Sequence, residues 1–200
     1  MHCTPIGRED PEYPAGLERC FMQNPPNPLW IAGNPGLLAH RTVALFCSSR
    51  SAGQILSRTY DLAQKLRKDG QTVISGFHAP MEKECLNILL RSPHAVIVCP
   101  ARGLERMRLP SEWRRAFDEE RLLVLSCFEP GVSRATAAYA KDRNRLAAAV
   151  ANNVVIAHAA PGSRLAGLAR EVLAWGKTLH TLDDPANAAL LALGAQPLEL

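Results

Sequence analysis

Short apolar runs alternate with helical segments over most of this chain, and this alternation limits the possible folds more than any other feature. The runs cover residues 42–47, 72–74, 95–98, 122–125, 154–156 and 178–180. Apolar residues at helical spacing predict helices over residues 55–67, 81–90, 111–118, 141–151, 164–173 and 186–193. Nearly uninterrupted apolar runs are typical of strands that are buried on both faces. Their alternation with helices predicts an α/β fold: a Rossmann-like, doubly wound and mainly parallel sheet with helices on both faces.

The first 40 residues follow a different pattern. They are rich in Pro, Gly and Asn, which favour turns and interrupt helices. Their one strand-like run covers residues 29–32. We therefore predict that residues 1–40 form an extended N-terminal arm, which packs on a main Rossmann-like domain of residues 41–200.

Composition restricts the class of protein without naming a function. The 200 residues are 47% hydrophobic and 21% charged, and the formal net charge of +4 permits a polyanionic partner without requiring one. The six cysteines form no Cys-x-x-Cys pair, so we expect a reduced, cytoplasmic protein with no metal and no cofactor. The N-terminus has no signal-peptide core, and no apolar stretch approaches the roughly 20 residues that span a bilayer, so we expect no membrane association.

The loops that follow the strands are the candidate sites, because ligands of doubly wound sheets bind beyond the carboxyl ends of the strands. Ser48, Ser49 and Arg50 follow the first strand of the main domain, where hydroxyls, helix N–H groups and a guanidinium suit a phosphate. The alternative is that these serines only cap a helix. Ser75 and Gly76 form a tight turn after the second strand.

Three later segments add cations and backbone donors. Arg102 follows the third strand together with two further arginines, either as a phosphate-facing patch or as a solvated loop. Gly162 and Ser163 open a helix after the fifth strand, an arrangement that suits an anion.

The segment 141–145 is the most informative of the three. Lys141, Arg143 and Arg145, with Asn144 among them, are predicted at a helix N-terminus, where the helix dipole disfavours cations. Such a conflict points to a functional demand that bound phosphates would meet. Ion pairs with nearby acidic side chains are the alternative.

No catalytic motif accompanies these loops. The sequence has no dinucleotide-binding Gly-x-Gly-x-x-Gly, no Gly-x-x-x-x-Gly-Lys-Ser/Thr loop and no Gly-x-Ser-x-Gly elbow. We therefore predict a binding protein and not an enzyme.

Taken in order, these segments resemble the DNA-processing protein A (DprA/Smf) family. The arm is similar to that family's opening in Tyr13-Pro14, in Pro25-Pro26 and in residues 29–34. The loop at residues 48–50 is similar to its Gly-Ser/Thr-Arg loop, with serine in place of the glycine. Arg143-Asn144-Arg145-Leu146 is similar to its Arg-Asn-Arg-Ile element, which is the most specific of these motifs.

The resemblance implies a minimal member, without the helical N-terminal domain and the winged-helix C-terminal domain of many relatives. It implies a domain that binds single-stranded DNA in a basic pocket, forms homodimers and passes DNA to a RecA-type recombinase in natural transformation. The predicted DNA- and phosphate-binding residues are Ser48, Ser49, Arg50, Ser75, Gly76, Arg102, Lys141, Arg143, Asn144, Arg145, Gly162 and Ser163. Arg102 and Lys141 are included on charge alone.

Two other interpretations stay open. One is a pocket for a nucleotide or a nucleotide derivative, in a sensor or a phosphoribohydrolase. The other is a scaffold that acts through protein partners and no longer uses its pocket.

Overall fold

The computed structural model describes residues 2–22, 24–49, 51 and 53–198, which form nine β-strands and seven α-helices. The strands are β1 Thr4–Ile6, β2 Leu29–Gly33, β3 Thr42–Cys47, β4 Thr72–Ser75, β5 Val96–Val98, β6 Leu122–Ser126, β7 Asn153–His158, β8 Leu179–Leu182 and β9 Gln196–Leu198. The helices are α1 Gly16–Phe21, α2 Gly53–Lys68, α3 Pro80–Leu89, α4 Ser111–Asp118, α5 Ala137–Val150, α6 Arg164–Ala174 and α7 Ala188–Ala192. Two short 3-10 helices lie at Pro35–Ala39 and Pro185–Asn187.

All nine strands belong to one sheet, in the order β1-β2-β6-β5-β4-β3-β7-β8-β9. The seven strands from β6 to β9 in this order are parallel, while β2 is antiparallel to both β6 and β1. The chain moves outward from β3 to β6 on one side, and then returns through α5 to β7 on the other side of β3. Strand order therefore reverses between β3 and β7, the position where a doubly wound sheet leaves a crevice for ligands.

Alternate residues of the central strands serve two separate hydrophobic layers, because successive side chains of a strand point to opposite faces. Ala44 and Phe46 face a layer that includes α1, α5 and α6. Val43 and Leu45 face a layer that includes α2, α3 and α4. Helices thus cover both faces of the sheet, which confirms the predicted fold class.

The N-terminal segment is more structured than the sequence indicated. It contributes the predicted strand β2, together with β1 and the helix α1, and both strands extend the sheet of the main domain. The Tyr13 hydroxyl donates a hydrogen bond of 2.6 Å to the carbonyl oxygen of Pro26, which ties the chain before α1 to the chain between α1 and β2. The boundary between an arm and a domain at residue 40 stays a prediction.

The start of α5 corrects one sequence-based argument. The helix begins at Ala137, and the Thr136 side chain caps it by accepting a hydrogen bond of 3.1 Å from the Tyr139 N–H. Lys141 and Arg143 therefore lie in the second turn, beyond the first turn where the positive end of the dipole acts most strongly. The predicted conflict with the dipole was wrong, because residues 137–140 before Lys141 already belong to the helix.

Candidate functional site

A cavity of about 480 Å³ opens at the carboxyl ends of β3 and β7, at the reversal of strand order. It is bounded by the loop after β3, the start of α3, the second and third turns of α5, and the first turns of α6. Its lining residues are Cys47, Ser48, Ser49, His78, Ala79, Glu82, Ala140, Lys141, Arg143, Asn144, Arg145, Ser163, Arg164, Leu165, Gly167, Leu168 and Glu171.

Glu82 fixes the floor of the cavity by joining two of these segments. Its carboxylate accepts hydrogen bonds from the backbone N–H groups of Cys47 at 3.1 Å, His78 at 2.9 Å and Ala79 at 3.2 Å. The first of these donors ends β3, while the other two precede α3, so one carboxylate sets the spacing between the two loops. Glu82 lies in the first turn of α3, and only 6% of the residue is exposed.

Arg143 reaches the same region from α5. Its guanidinium is buried, with 5% of the residue exposed, and Nη1 donates a hydrogen bond of 3.2 Å to the carbonyl oxygen of Cys99. Burial lowers the pKa of Arg143, and the negative charge of Glu82 opposes that effect. Nε of Arg143 has no hydrogen-bond partner among the described residues. The group therefore lies between the ends of the central strands, with one buried N–H that no described residue accepts.

Gly76 makes this position possible. A Cβ atom at residue 76 would lie 1.3 Å from Nη1 of Arg143, so only glycine lets the guanidinium lie against the backbone at the end of β4. Neither Ser75 nor Gly76 belongs to the lining of the cavity. Ser75 is buried, and its Oγ accepts a hydrogen bond of 3.4 Å from the Phe77 N–H.

Arg145 and Lys141 share an acidic partner on α6. Nε of Arg145 lies 2.5 Å from the Glu171 carboxylate, and Nζ of Lys141 lies 4.0 Å from it. The Arg145 guanidinium also lies over the Phe21 ring, 4.8 Å from its centroid. Arg145 is therefore held by an ion pair and a cation–π contact, whereas Lys141 is exposed at the mouth of the cavity.

The N-terminal half of α6 lines one side of the cavity. Ser163 caps the helix, since its Oγ accepts a hydrogen bond of 3.2 Å from the Ala166 N–H. Arg164 follows it and is exposed. Ser163 therefore has a structural role as the N-cap of α6, and it also lines the cavity.

The cavity brings together seven of the predicted site residues: Ser48, Ser49, Lys141, Arg143, Asn144, Arg145 and Ser163. Ser75, Gly76, Arg102 and Gly162 lie outside its lining, and Arg50 lies outside the described residues. As DNA contacts, all twelve stay predictions.

Two aromatic residues belong to neighbouring segments: Phe77 is buried in the core, and Tyr139 packs on Phe128 with ring centroids 4.7 Å apart.

Sequence reasoning missed Arg164 and Glu171. Arg164 had a signal, because it directly follows the helix-capping serine of a loop already considered. Glu171 had none, since its contact with Arg145 joins residues 26 positions apart on two helices.

Other site types find little support in the described part of the chain. No group of three or more His, Cys, Asp or Glu residues there has an arrangement that could hold a metal ion. Each of the six cysteines is free. No helix within the described ranges is long and apolar enough to cross a membrane.

Solved structures with the same fold include two DNA processing proteins. DNA processing protein A from Helicobacter pylori superposes with a TM-score of 0.80 and 21% identity, over 98% of this chain and 91% of that one. DNA processing protein A from Streptococcus pneumoniae superposes with a TM-score of 0.79 and 22% identity, over 98% of this chain and 70% of that one. A molybdenum cofactor binding protein from Rippkaea orientalis is less similar, with a TM-score of 0.56 and 12% identity over 80% of this chain and 90% of that one.

Sequence comparison identifies the family. No curated protein sequence matches the chain. The family model of DNA recombination-mediator protein A matches residues 4–198, nearly the whole chain, and this match confirms the resemblance drawn from the motifs. The chain therefore belongs to the DNA recombination-mediator protein A family.

Proposed function

We propose that this chain binds single-stranded DNA, with the phosphate backbone of the strand at the cavity between β3 and β7. The observation that supports this most directly is the charge of the cavity lining. Four cationic side chains and two acidic ones leave an excess of two positive charges at a crevice where ligands of this fold bind. The cationic residues are Lys141, Arg143, Arg145 and Arg164, and the acidic ones are Glu82 and Glu171.

The lining residues fall into two roles. Lys141 and Arg164 are exposed at the mouth, where they can neutralise phosphates and release counterions. Arg143 acts from inside, because its buried guanidinium places a positive charge in the cavity lining. Hydroxyl and amide groups such as those of Ser49 and Asn144 make further sequence-independent contacts to phosphates.

One structural relative and the family membership support a nucleic-acid partner. The similar H. pylori protein is described by its single-stranded DNA binding mode. Membership of a recombination-mediator family supports a role in which the chain, as a cytoplasmic homodimer without catalytic activity, passes the strand to a RecA-type recombinase.

Fluorescence anisotropy with a labelled oligo-dT strand tests the proposal. Binding is measured over a salt series for the wild type and for Lys141→Gln/Arg164→Gln. The matched control is Lys68→Gln/Arg91→Gln, which removes the same charges from exposed positions at the C-terminal ends of α2 and α3, near the amino ends of the parallel strands and away from the cavity.

We expect the cavity variant to bind about tenfold more weakly at low salt, since roughly 1.4 kcal/mol corresponds to that factor and one charged hydrogen bond contributes about as much. Its salt slope should fall by about 1.4, because each neutralised phosphate of a single strand contributes about 0.7. The control should bind like the wild type. Equal losses in both variants, or no binding by the wild type, would refute the proposal. A thermal shift with mononucleotides alone would favour a nucleotide pocket instead.

A further inference from the structure

Two loops beside the cavity form a second basic surface that the proposed site does not include. They comprise residues 100–110 after β5 and residues 127–136 after β6, and we call them the double loop. The Gly103 N–H donates a hydrogen bond of 2.8 Å to the Val132 carbonyl, and the Glu105 N–H donates one of 3.2 Å to the Pro130 carbonyl. A Cβ at Gly103 would lie 2.1 Å from the Glu129 carbonyl oxygen, so the two backbones are in close contact. The double loop is therefore one body held by its own backbone.

The double loop has more cations than its own acids neutralise. It contains four arginines against the two acids Glu105 and Glu129. Arg106, Arg108 and Arg134 are exposed, and none of them forms an ion pair with another described residue. Arg102 is half-buried and holds the loop in shape, because its Nη2 donates a hydrogen bond of 3.3 Å to the Arg106 carbonyl. Exposed guanidinium groups without a partner are suited to phosphates.

Helix α5 connects the double loop with the cavity. Its N-cap, Thr136, ends the double loop, and the turns that follow contribute Lys141 and Arg143 to the cavity. Arg143 bonds to the carbonyl of Cys99, the residue directly before the double loop. Neighbouring strands lie roughly 4.8 Å apart, so the ends of β5 and β6 are about 10 and 14 Å from the end of β3. A strand of a few nucleotides can span such a distance.

Tyr139 lies on this route, in the first turn of α5. Its ring packs on Phe128 with centroids 4.7 Å apart, and the residue is half-buried while Phe128 is buried. The pair holds an aromatic ring where the double loop meets α5, the helix that also lines the cavity. Base stacking on such rings is the usual complement to phosphate contacts in proteins that bind single strands.

We propose that a single strand held at the cavity continues over the first turn of α5 to the double loop, where Arg106 and Arg134 bind its phosphates and Tyr139 stacks on a base. This inference rests on the proposed function and extends its site toward β6. It predicts that a strand long enough to reach the double loop binds more tightly than a short strand that occupies the cavity alone.

The test compares oligo-dT strands of about 4 and about 12 nucleotides, lengths near the two ends of common single-strand site sizes. Anisotropy over a salt series is measured for the wild type, for Arg106→Gln/Arg134→Gln, and for Tyr139→Leu, which keeps an apolar side chain against Phe128. Lys68→Gln/Arg91→Gln again serves as the charge-matched control, and thermal melting verifies that each variant is folded.

For the long strand, we expect Arg106→Gln/Arg134→Gln to reduce the salt slope by about 1.4, and Tyr139→Leu to weaken binding several-fold. For the short strand, both variants should bind like the wild type. Equal losses for both lengths, or no loss for the long strand, would overturn the extended path while short-strand binding keeps the cavity proposal intact. Absence of binding by the wild type at either length would overturn both.

Discussion

Replacing Gly76 with alanine tests how the buried guanidinium of Arg143 is held. The new Cβ would lie 1.3 Å from Nη1 and 1.9 Å from Cζ of Arg143. Restoring a normal contact of about 3.5 Å requires the guanidinium to move by roughly 2 Å. The side chain is long, but it is only 5% exposed, so the space open to it is the cavity. The substitution is therefore expected to push the Arg143 guanidinium away from residue 76 and into the cavity.

The magnitude follows from the contacts that the shift would break. The bond from Nη1 to the Cys99 carbonyl has a charged donor and contributes about 1.5–3 kcal/mol, and the attraction to Glu82 would also weaken. The backbone of Gly76 is not in the left-handed region, so alanine there restores about 0.4–1 kcal/mol by restricting the unfolded chain. We expect a net loss of about 1–3 kcal/mol in the free energy of unfolding, or roughly 2–12 °C in Tm for a chain of this size.

Urea unfolding of a double-mutant cycle with Arg143→Met provides the assay. Methionine removes the guanidinium but keeps most of the stem, so Gly76→Ala should cost about 1–3 kcal/mol beside arginine and almost nothing beside methionine. Gly167→Ala is the matched control, because a Cβ there meets no atom within 4 Å and helix propensity favours alanine. If the cost of Gly76→Ala were the same in both backgrounds within about 0.5 kcal/mol, the reasoning would be refuted.

Two further predictions concern stability. Nζ of Lys177 donates to three carbonyls at the C-terminal end of α5, at 2.6–3.0 Å, so Lys177→Met should lower the free energy of unfolding by about 1.5–3 kcal/mol in urea titrations; an unchanged midpoint would contradict this. Burial raises the pKa of Glu82 above about 4.5, against its backbone hydrogen bonds, so the folded state holds this proton more tightly than the unfolded state does. The contribution of Glu82 to stability is then full below that value and falls as pH rises through the raised pKa. The unfolding free energy of the wild type minus that of Glu82→Gln should therefore decrease as the pH rises above about 4.5, and a constant or rising difference would argue against a raised pKa.

The sequence predicted the central strands well because each one is an apolar run buried by helices on both sides. It missed β1 and β9, which have three residues each with proline in the middle, since so short a run shows no period. It missed α1 as well, which has six residues and lies among prolines. It placed the start of α5 four residues late, although Thr136 before a run of small residues was an available capping signal.

For the site, strand order was the decisive unknown. Loops after β3 and β7 share a cavity because those strands are neighbours, whereas the loop after β5, with Arg102, lies two strands away. Sequence spacing also could not show that Arg143 and Arg145 have different surroundings. Two residues apart on a helix, they point to different sides, one toward the ends of β4 and β5 and the other toward Phe21 and α6.

The two edge strands of the sheet, the outer strands β1 and β9, affect whether molecules of this protein can aggregate by pairing their sheets. An outer strand offers unpaired backbone groups to any other chain, and long, flat outer strands promote aggregation. In this sheet both outer strands are three residues long, and their central residues, Pro5 and Pro197, have no N–H to donate. Neither side of the sheet therefore provides a continuous ladder for a second molecule, which protects a sheet of nine strands from growing by the addition of further chains.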